Sequence, residues 1–291
     1  MSFSTIAQAV VGGILLGGVY ALLAAGLAII FGVMRVINFA QAEFMMVGMF
    51  ASYVAATTLG IDPLILALPV GVLVTVFGLA FAWGLLERVP RGDNNAQLIL
   101  TLGASIVMQN AILMTFGPTP RVLVRPYTNA YWIPWDLFIN HARLYACLAS
   151  LLVMTVLYVF LTRTWTGRSL RATADDPTAA GSVGINVRYT HVAAFGLGAG
   201  LAGLAGTLLS TFVAAQPAIG NDFIVIMFLS VVLGGLGSVG GAALGAFLVG
   251  LVQSMSGLLL PLQLQNVMLF IVFVVILLVR PQGLFGQRQR V

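Results

Sequence analysis

From residue 6 to residue 34 the chain runs for 29 residues without a charged side chain. Crossing ~30 Å of hydrocarbon at 1.5 Å per residue takes about 20 apolar residues. Within lipid every backbone N–H and C=O must be satisfied inside the segment, which leaves helix as the form of such a run. The pattern repeats along the sequence. The gaps between charges mark nine candidates: 6–34, 44–59, 64–86, 98–116, 144–161, 191–213, 223–236, 242–260 and 267–279. Two of them, 44–59 and 223–236, are short for a full crossing and are expected to be tilted, broken or re-entrant. The expectation is an all-α, polytopic transmembrane helix bundle of about 8–9 spans, forming one domain over residues 1–291. Composition agrees, with 60% hydrophobic and 7% charged residues, against about 25% charged in a soluble domain. The first run lacks a positive leader and is too long for a signal peptide, so it reads as a span.

All 13 basic residues are Arg, and the formal net charge is +5. They cluster in short connectors, where they report topology rather than nucleic-acid binding. The absence of Lys excludes a P-loop lysine and a Schiff base. The segment 162–188, the tail with Arg280, Arg288 and Arg290, and the 87–95 loop are expected in the cytoplasm. The segment 117–140, rich in Pro and carrying Tyr127, Tyr131, Trp132 and Trp135, is expected outside at headgroup level, together with 214–222. Counting spans back places the N-terminus outside.

No grouping of His, Cys, Asp or Glu has metal-ligand spacing, and no Ser sits in a triad context. His141 and His191 lie at span edges, and Cys147 reads as a small packing residue. Enzyme chemistry is therefore not expected, and transport remains. Charges inside a membrane are rare and usually functional. Asp62, before Pro63, and Asp222, before an apolar run, both read as helix N-caps. Glu43 differs. It belongs to "MRVINFAQAEFMM" (34–46), which also carries Arg35, Asn38 and Gln41. Two readings compete there. One is a cytoplasmic turn with Arg35 and Glu43 solvated. The other is a break between half-helices lining a pathway, as transporters build their sites, with Asn38 and Gln41 offering hydrogen bonds and Arg35 holding Glu43. Small residues at four-residue spacing (Gly13 and Gly17; Gly196 and Gly200; Gly237, Gly241 and Gly245) predict close helix packing. In 162–188, Asp175 or Asp176 before Pro177 predicts an N-cap, and Gly184 a C-cap, of a short cytoplasmic helix.

Four stretches resemble one family. "INFAQAEFMMVG" (37–48), "RATADDPTAAGSVGINV" (171–187), "FLSVVLGGLGSVGGAALGAFLVG" (228–250) and "RPQGLFG" (280–286) are similar to LivH-type permeases, membrane subunits of ABC importers for branched-chain amino acids. The resemblance implies a bacterial inner-membrane subunit. Its partners are a homologous second permease, two cytoplasmic ATPases that bind the ATP, and an external solute-binding protein. No cofactor is implied in this chain. Arg171, Ala179, Ala180 and Gly184 match the pattern through which ABC permeases couple to their ATPases, with Thr178 in place of the usual acid. The implied substrate pathway runs by Asn38, Gln41 and Glu43 and by a second break with Gly234, Gly235 and Ser238. Ala42 departs from the family's usual Gly. Related permeases import urea, short amides or other amino acids. The alternatives are an ion-coupled carrier with Glu43 as the coupling acid, and a channel.

Overall fold

Each of the nine apolar runs forms a helix. A computed structural model describes residues 3–89, 94–134, 137–261, 264–280 and 283; most of the 280–286 motif, Arg288 and Arg290 lie outside them. The helices are α1 (Phe3–Met34), α2 (Gln41–Thr58), α3 (Pro63–Gly84), α4 (Asn94–Phe116), α5 (His141–Arg163), α6 (Trp165–Asp175), α7 (Pro177–Ser182), α8 (Val187–Leu209), α9 (Ile219–Gly234), α10 (Val239–Leu259) and α11 (Gln265–Val279). Among the described residues, strand is confined to a two-residue antiparallel pair, Tyr131–Trp132 with Ile139–Asn140. The chain is an all-α polytopic membrane bundle. Six helices (α1, α3, α4, α5, α8 and α10) are long and apolar enough to cross a membrane. The other three apolar runs became the shorter helices α2, α9 and α11.

Helix starts follow local chemistry. Asp62 caps α3 by accepting from the Leu64 N–H, with Pro63 at the first helical position, as expected. Asn140, Thr164, Asp176, Asn186 and Ser238 cap α5, α6, α7, α8 and α10 in the same way. Asp222 does not cap. α9 begins earlier, at Ile219, and Asp222 lies exposed in its first turn. There a carboxylate still gains from the positive end of the helix dipole. The expectation failed because the turn Gln216–Ile219 closes on backbone bonding alone, Ile219 N–H to Gln216 O, so helix starts before the acid.

α1 and α8 form the centre, with 83% of each apolar window buried, against 11% for α4. Lipid offers no hydrophobic drive between helices, so close backbone approach carries the packing. Gly13 and Gly17 meet Leu251 and Phe247 of α10. Gly26 of α1 lies against Gly198 of α8, and Gly48 of α2 against Gly203. The Gly ladders thus pack within the chain. Cys147 does the same, its sulfur filling the space beside Gly18.

The connectors gather at two ends. At one end the Arg35 guanidinium donates to the Ala174 carbonyl (3.1 Å), and Arg188 pairs with Glu87 (3.0 Å). That groups the described start of the 87–95 loop, at Glu87, with 162–188, as the Arg distribution predicts. At the other end Arg121 and Ala215 exchange backbone hydrogen bonds, and Arg125 donates to the carbonyls of Ala56 and Ile61. Tyr127 donates its hydroxyl to Asp62 (2.7 Å), and Gln8 near the start of α1 bonds the Phe138 backbone. The start of α1 therefore shares an end with the described residues of 117–140 and with Ala215.

Candidate functional site

The polar interruption is a re-entrant turn. α1 stops at Met34, and Arg35 takes a left-handed conformation with φ 56°. It is the one non-glycine with positive φ among the described residues, at a cost of roughly 1–2 kcal/mol. Residues 35–40 then lead back into the bundle, where α2 begins. Three short bonds fix the turn. The Ala40 N–H donates to Asn38 Oδ1 (3.0 Å), Asn38 Nδ2 donates to Gln41 Oε1 (3.1 Å), and Gln41 Nε2 donates to the Gly198 carbonyl (2.9 Å). Asn38 and Gln41 are 1% and 0% exposed, so here they bond one another and the backbone rather than an open space. Gly198 is at the middle of α8, so α2 begins at half the height of the bundle.

Glu43 sits one step further on, 2% exposed. Its Oε1 accepts from Ser105 Oγ (3.2 Å), at the middle of α4, while Oε2 has no hydrogen-bond partner. Its carboxyl group also lies against Gly220, in the first turn of α9, where an added methyl carbon would stand 2.5 Å from Oε1. The chain reaches Gly220 from the opposite end, through residues 213–218. Two short helices, α2 and α9, thus enter from opposite ends and bring their first turns together at one buried carboxyl. Both N-termini present the positive ends of their dipoles there, which suits an anionic group. Arg35 does not pair with Glu43 as expected: it points out of the turn to Ala174, because its left-handed backbone directs it toward α6. Nor is Glu43 solvated. Ala42, fully buried, sits in ordinary helical backbone, so nothing at that position requires the family's Gly.

The second break, 235–238, lies elsewhere. Gly235 (φ 101°) and Gly237 (φ 86°) turn the chain between α9 and α10, and Ser238 spends its hydroxyl capping α10 at the Gly241 N–H (3.1 Å). Gly234 packs on Gly241, and Gly237 rests against Gly32 near the foot of α1. Gly234, Gly235 and Ser238 thus stand beside the α1 end of the turn, a helix length of α9 away from Glu43.

The segment after α5 folds as expected. Asp176, rather than Asp175, caps α7, accepting from the N–H groups of Thr178 and Ala179 at 2.8 and 3.0 Å. At the far end Ile185 N–H bonds the Ala180 carbonyl and Gly184 N–H that of Gly181, a Schellman closure with Gly184 at φ 88°. Ala180 is buried. Arg171, Ala179 and Gly184 face outward, with Trp165, Val183 and Tyr189 exposed around them.

Four residues at or beside the site were not singled out from sequence: Gln97, Thr101, Ser105 and Gly220. The first three recur every four residues on one face of α4, and that polar spacing is a readable signal. Thr101 Oγ1 accepts from the Phe39 N–H (3.4 Å), and Gln97 Oε1 is buried without a partner. Gly220 has no such signal.

The family model for the branched-chain amino acid transport system permease component matches residues 9–277. The chain is 30% identical to the high-affinity branched-chain amino acid transport system permease protein LivH of Escherichia coli (strain K12), over 96% of this chain and 95% of that protein. It is 32% identical to the corresponding protein BraD of Pseudomonas aeruginosa, at the same coverage. It is 30% identical to the probable branched-chain amino acid transport permease protein LivH of Methanocaldococcus jannaschii, over 94% and 91%. No solved structure matches it.

Proposed function

The chain belongs to the branched-chain amino acid transport system permease family, and from that premise we propose that it is the membrane subunit of an ABC importer. It translocates a branched-chain amino acid by alternating access. The observation that carries the pathway is the meeting of α2 and α9 at Glu43. Interrupted helices ending at mid-height are how transporters present polar groups to a solute without exposing backbone to lipid. Asn38, Gln41 and Glu43, with Ser105 and Gly220, form the constriction; Gly234, Gly235 and Ser238 form the flexible joint below it. In the closed form the amides bond each other, and they become available to a solute when α2 and α9 separate.

The end carrying α6 and α7 faces the cytoplasm, and the end carrying 117–140 and the N-terminus faces outside, following the Arg-rich connectors. On this reading segment 162–190 is the coupling element of a single permease domain, 1–291. Arg171, Ala179 and the exposed apolar groups around Gly184 form the surface that meets a partner ATPase. A lysine-free chain has no P-loop of its own, so ATP binds to two partner ATPases. A homologous second permease and an external binding protein complete the assembly. In nanodiscs holding the permease and its ATPases, binding protein loaded with leucine is expected to stimulate ATP hydrolysis. Hydrolysis indifferent to the loaded protein would count against the proposal.

A second reading keeps Glu43 as the coupling acid of an ion-driven carrier. The unpartnered Oε2 supports it, since a protonated carboxyl is easier to bury alone than a charged one. It requires no ATPase.

A further inference from the structure

We propose that the cavity at the N-terminal end of α1 is an entry site for the amino acid, with the Arg143 guanidinium receiving its carboxylate. This rests on the reading of the chain as an amino acid permease and places a second site, remote from Glu43. The cavity has a volume of about 350 Å³, within the range of small-molecule sites. It lies between the N-terminal part of α1, residues 128–131, 138 and 140, Arg143 of α5 and Phe212 in the chain leaving α8. That is the opposite end from Arg35, since α1 is 32 residues long and spans about 48 Å.

The wall is fixed before any ligand arrives. Gln8 is locked by two reciprocal bonds to the Phe138 backbone, at 2.7 and 2.8 Å. Asn140 spends its oxygen capping α5 and its nitrogen on the Thr128 carbonyl (2.8 Å). These amides are satisfied and serve as frame. The Arg143 guanidinium is not. It stands over the Phe212 ring, 5.7 Å from the centroid, and among the described residues no carboxylate pairs with it. A guanidinium stacked on a ring keeps its planar edge free, and that edge fits a carboxylate with two parallel hydrogen bonds. Among the cavity's described lining residues Arg143 is the charged one. Asn129 lines the same space with an amide that no described residue engages, and its oxygen can accept from an ammonium. Val11 and Phe212 supply an apolar wall for an aliphatic side chain. A cationic fork, an amide acceptor and an apolar wall together match a zwitterion with a branched aliphatic chain.

The test uses the full chain in nanodiscs and three probes: L-leucine, 4-methylpentanoate (carboxylate without amine) and 3-methylbutylamine (amine without carboxylate). Binding is read by saturation-transfer NMR. Leucine and 4-methylpentanoate are expected to bind saturably at millimolar concentration and the amine to bind at least about tenfold more weakly, as loss of a charge-assisted pair dictates. R143Q should lower the affinity for both acids by a similar factor, R143K should keep most of it, and V11F, which narrows the apolar wall, should weaken leucine with Arg143 intact. No saturable binding of leucine by the wild type, equal binding by R143Q, or an amine as good as the acids would each overturn the proposal. So would loss in R143Q of binding-protein association alone, with leucine binding unchanged. ATP-driven leucine uptake by the assembled importer is measured in parallel. Uptake with R143Q binding unchanged would refute the entry site alone, whereas Arg143-dependent binding without any uptake would refute the importer reading and leave the site standing.

Discussion

The carboxyl group of Glu43, in the first turn of α2, packs against the backbone of Gly220, in the first turn of α9, so closely that no side chain fits between them. The two helices are entered from opposite ends of the bundle, and this contact is where they meet. Gly220→Ala should therefore push α9 from α2 or displace Glu43. Overpacking of this kind costs ~1–3 kcal/mol. The expected result is a lower melting temperature in detergent and reduced uptake. A variant as stable and active as wild type would show that the contact is loose.

The chain of bonds from Asn38 through Gln41 to Gly198 holds the re-entrant turn. Gln41→Met keeps the approximate shape but removes the side-chain bond to the Gly198 carbonyl, which retains its helical partner, and leaves the Asn38 amide N–H without its acceptor, at about 1–3 kcal/mol for a buried polar group. Uptake should fall with assembly intact; Asn38→Ala should behave alike. If both variants transport normally, the turn is passive scaffolding and not part of the path.

Gly184 closes α7 with φ 88°, a conformation costing a β-branched residue about 1–2 kcal/mol. Gly184→Val should distort the turn and weaken ATPase association, seen as loss of co-purification. Gly167 is a companion case. It is buried where α6 folds back on α5, against the Phe160 carbonyl and Leu161. Gly167→Ala should shift the whole of α6 and lower coupled ATP hydrolysis. Normal assembly and hydrolysis in both variants would contradict the coupling role.

At the opposite end, burial and then the hydrogen bond to Asp62 push the Tyr127 phenol above its ordinary value. Its proton is held more tightly in the folded chain. The stability this contributes is complete below the unfolded value of about 10 and is lost as pH rises past it. Tyr127→Phe should thus flatten the fall in melting temperature above about pH 10. An identical alkaline fall in wild type and variant would show that Tyr127 does not hold the proton.

Much of this was legible in sequence because it depends on local rules. Charge-free runs became helices, Asp62 and Asp176 became caps ahead of proline, Gly184 took the left-handed turn, and the Arg distribution sorted the connectors to two ends. What was not legible depends on chain paths that carry no periodicity. Glu43 was recognised as out of place, but its partners come from α4 and α9. Only the four-residue polar spacing of Gln97, Thr101 and Ser105 marks the first, and nothing marks Gly220. Arg35 was matched to Glu43 by proximity in sequence and by charge, yet its backbone turns it toward Ala174. Asp222 was read as a cap because it precedes an apolar run, while α9 had already begun on backbone bonds alone.

The central claim is that transport through the Glu43 constriction is driven by ATP on partner subunits. It is tested most directly by leucine uptake into proteoliposomes that hold the permease alone or with its second permease and ATPases, with loaded binding protein outside. The account predicts uptake only from the complete assembly with ATP in the ATPase compartment, and none by this chain alone under a proton or sodium gradient. Gradient-driven uptake by the chain alone, lost in Glu43→Gln, would contradict it and establish the ion-coupled carrier instead.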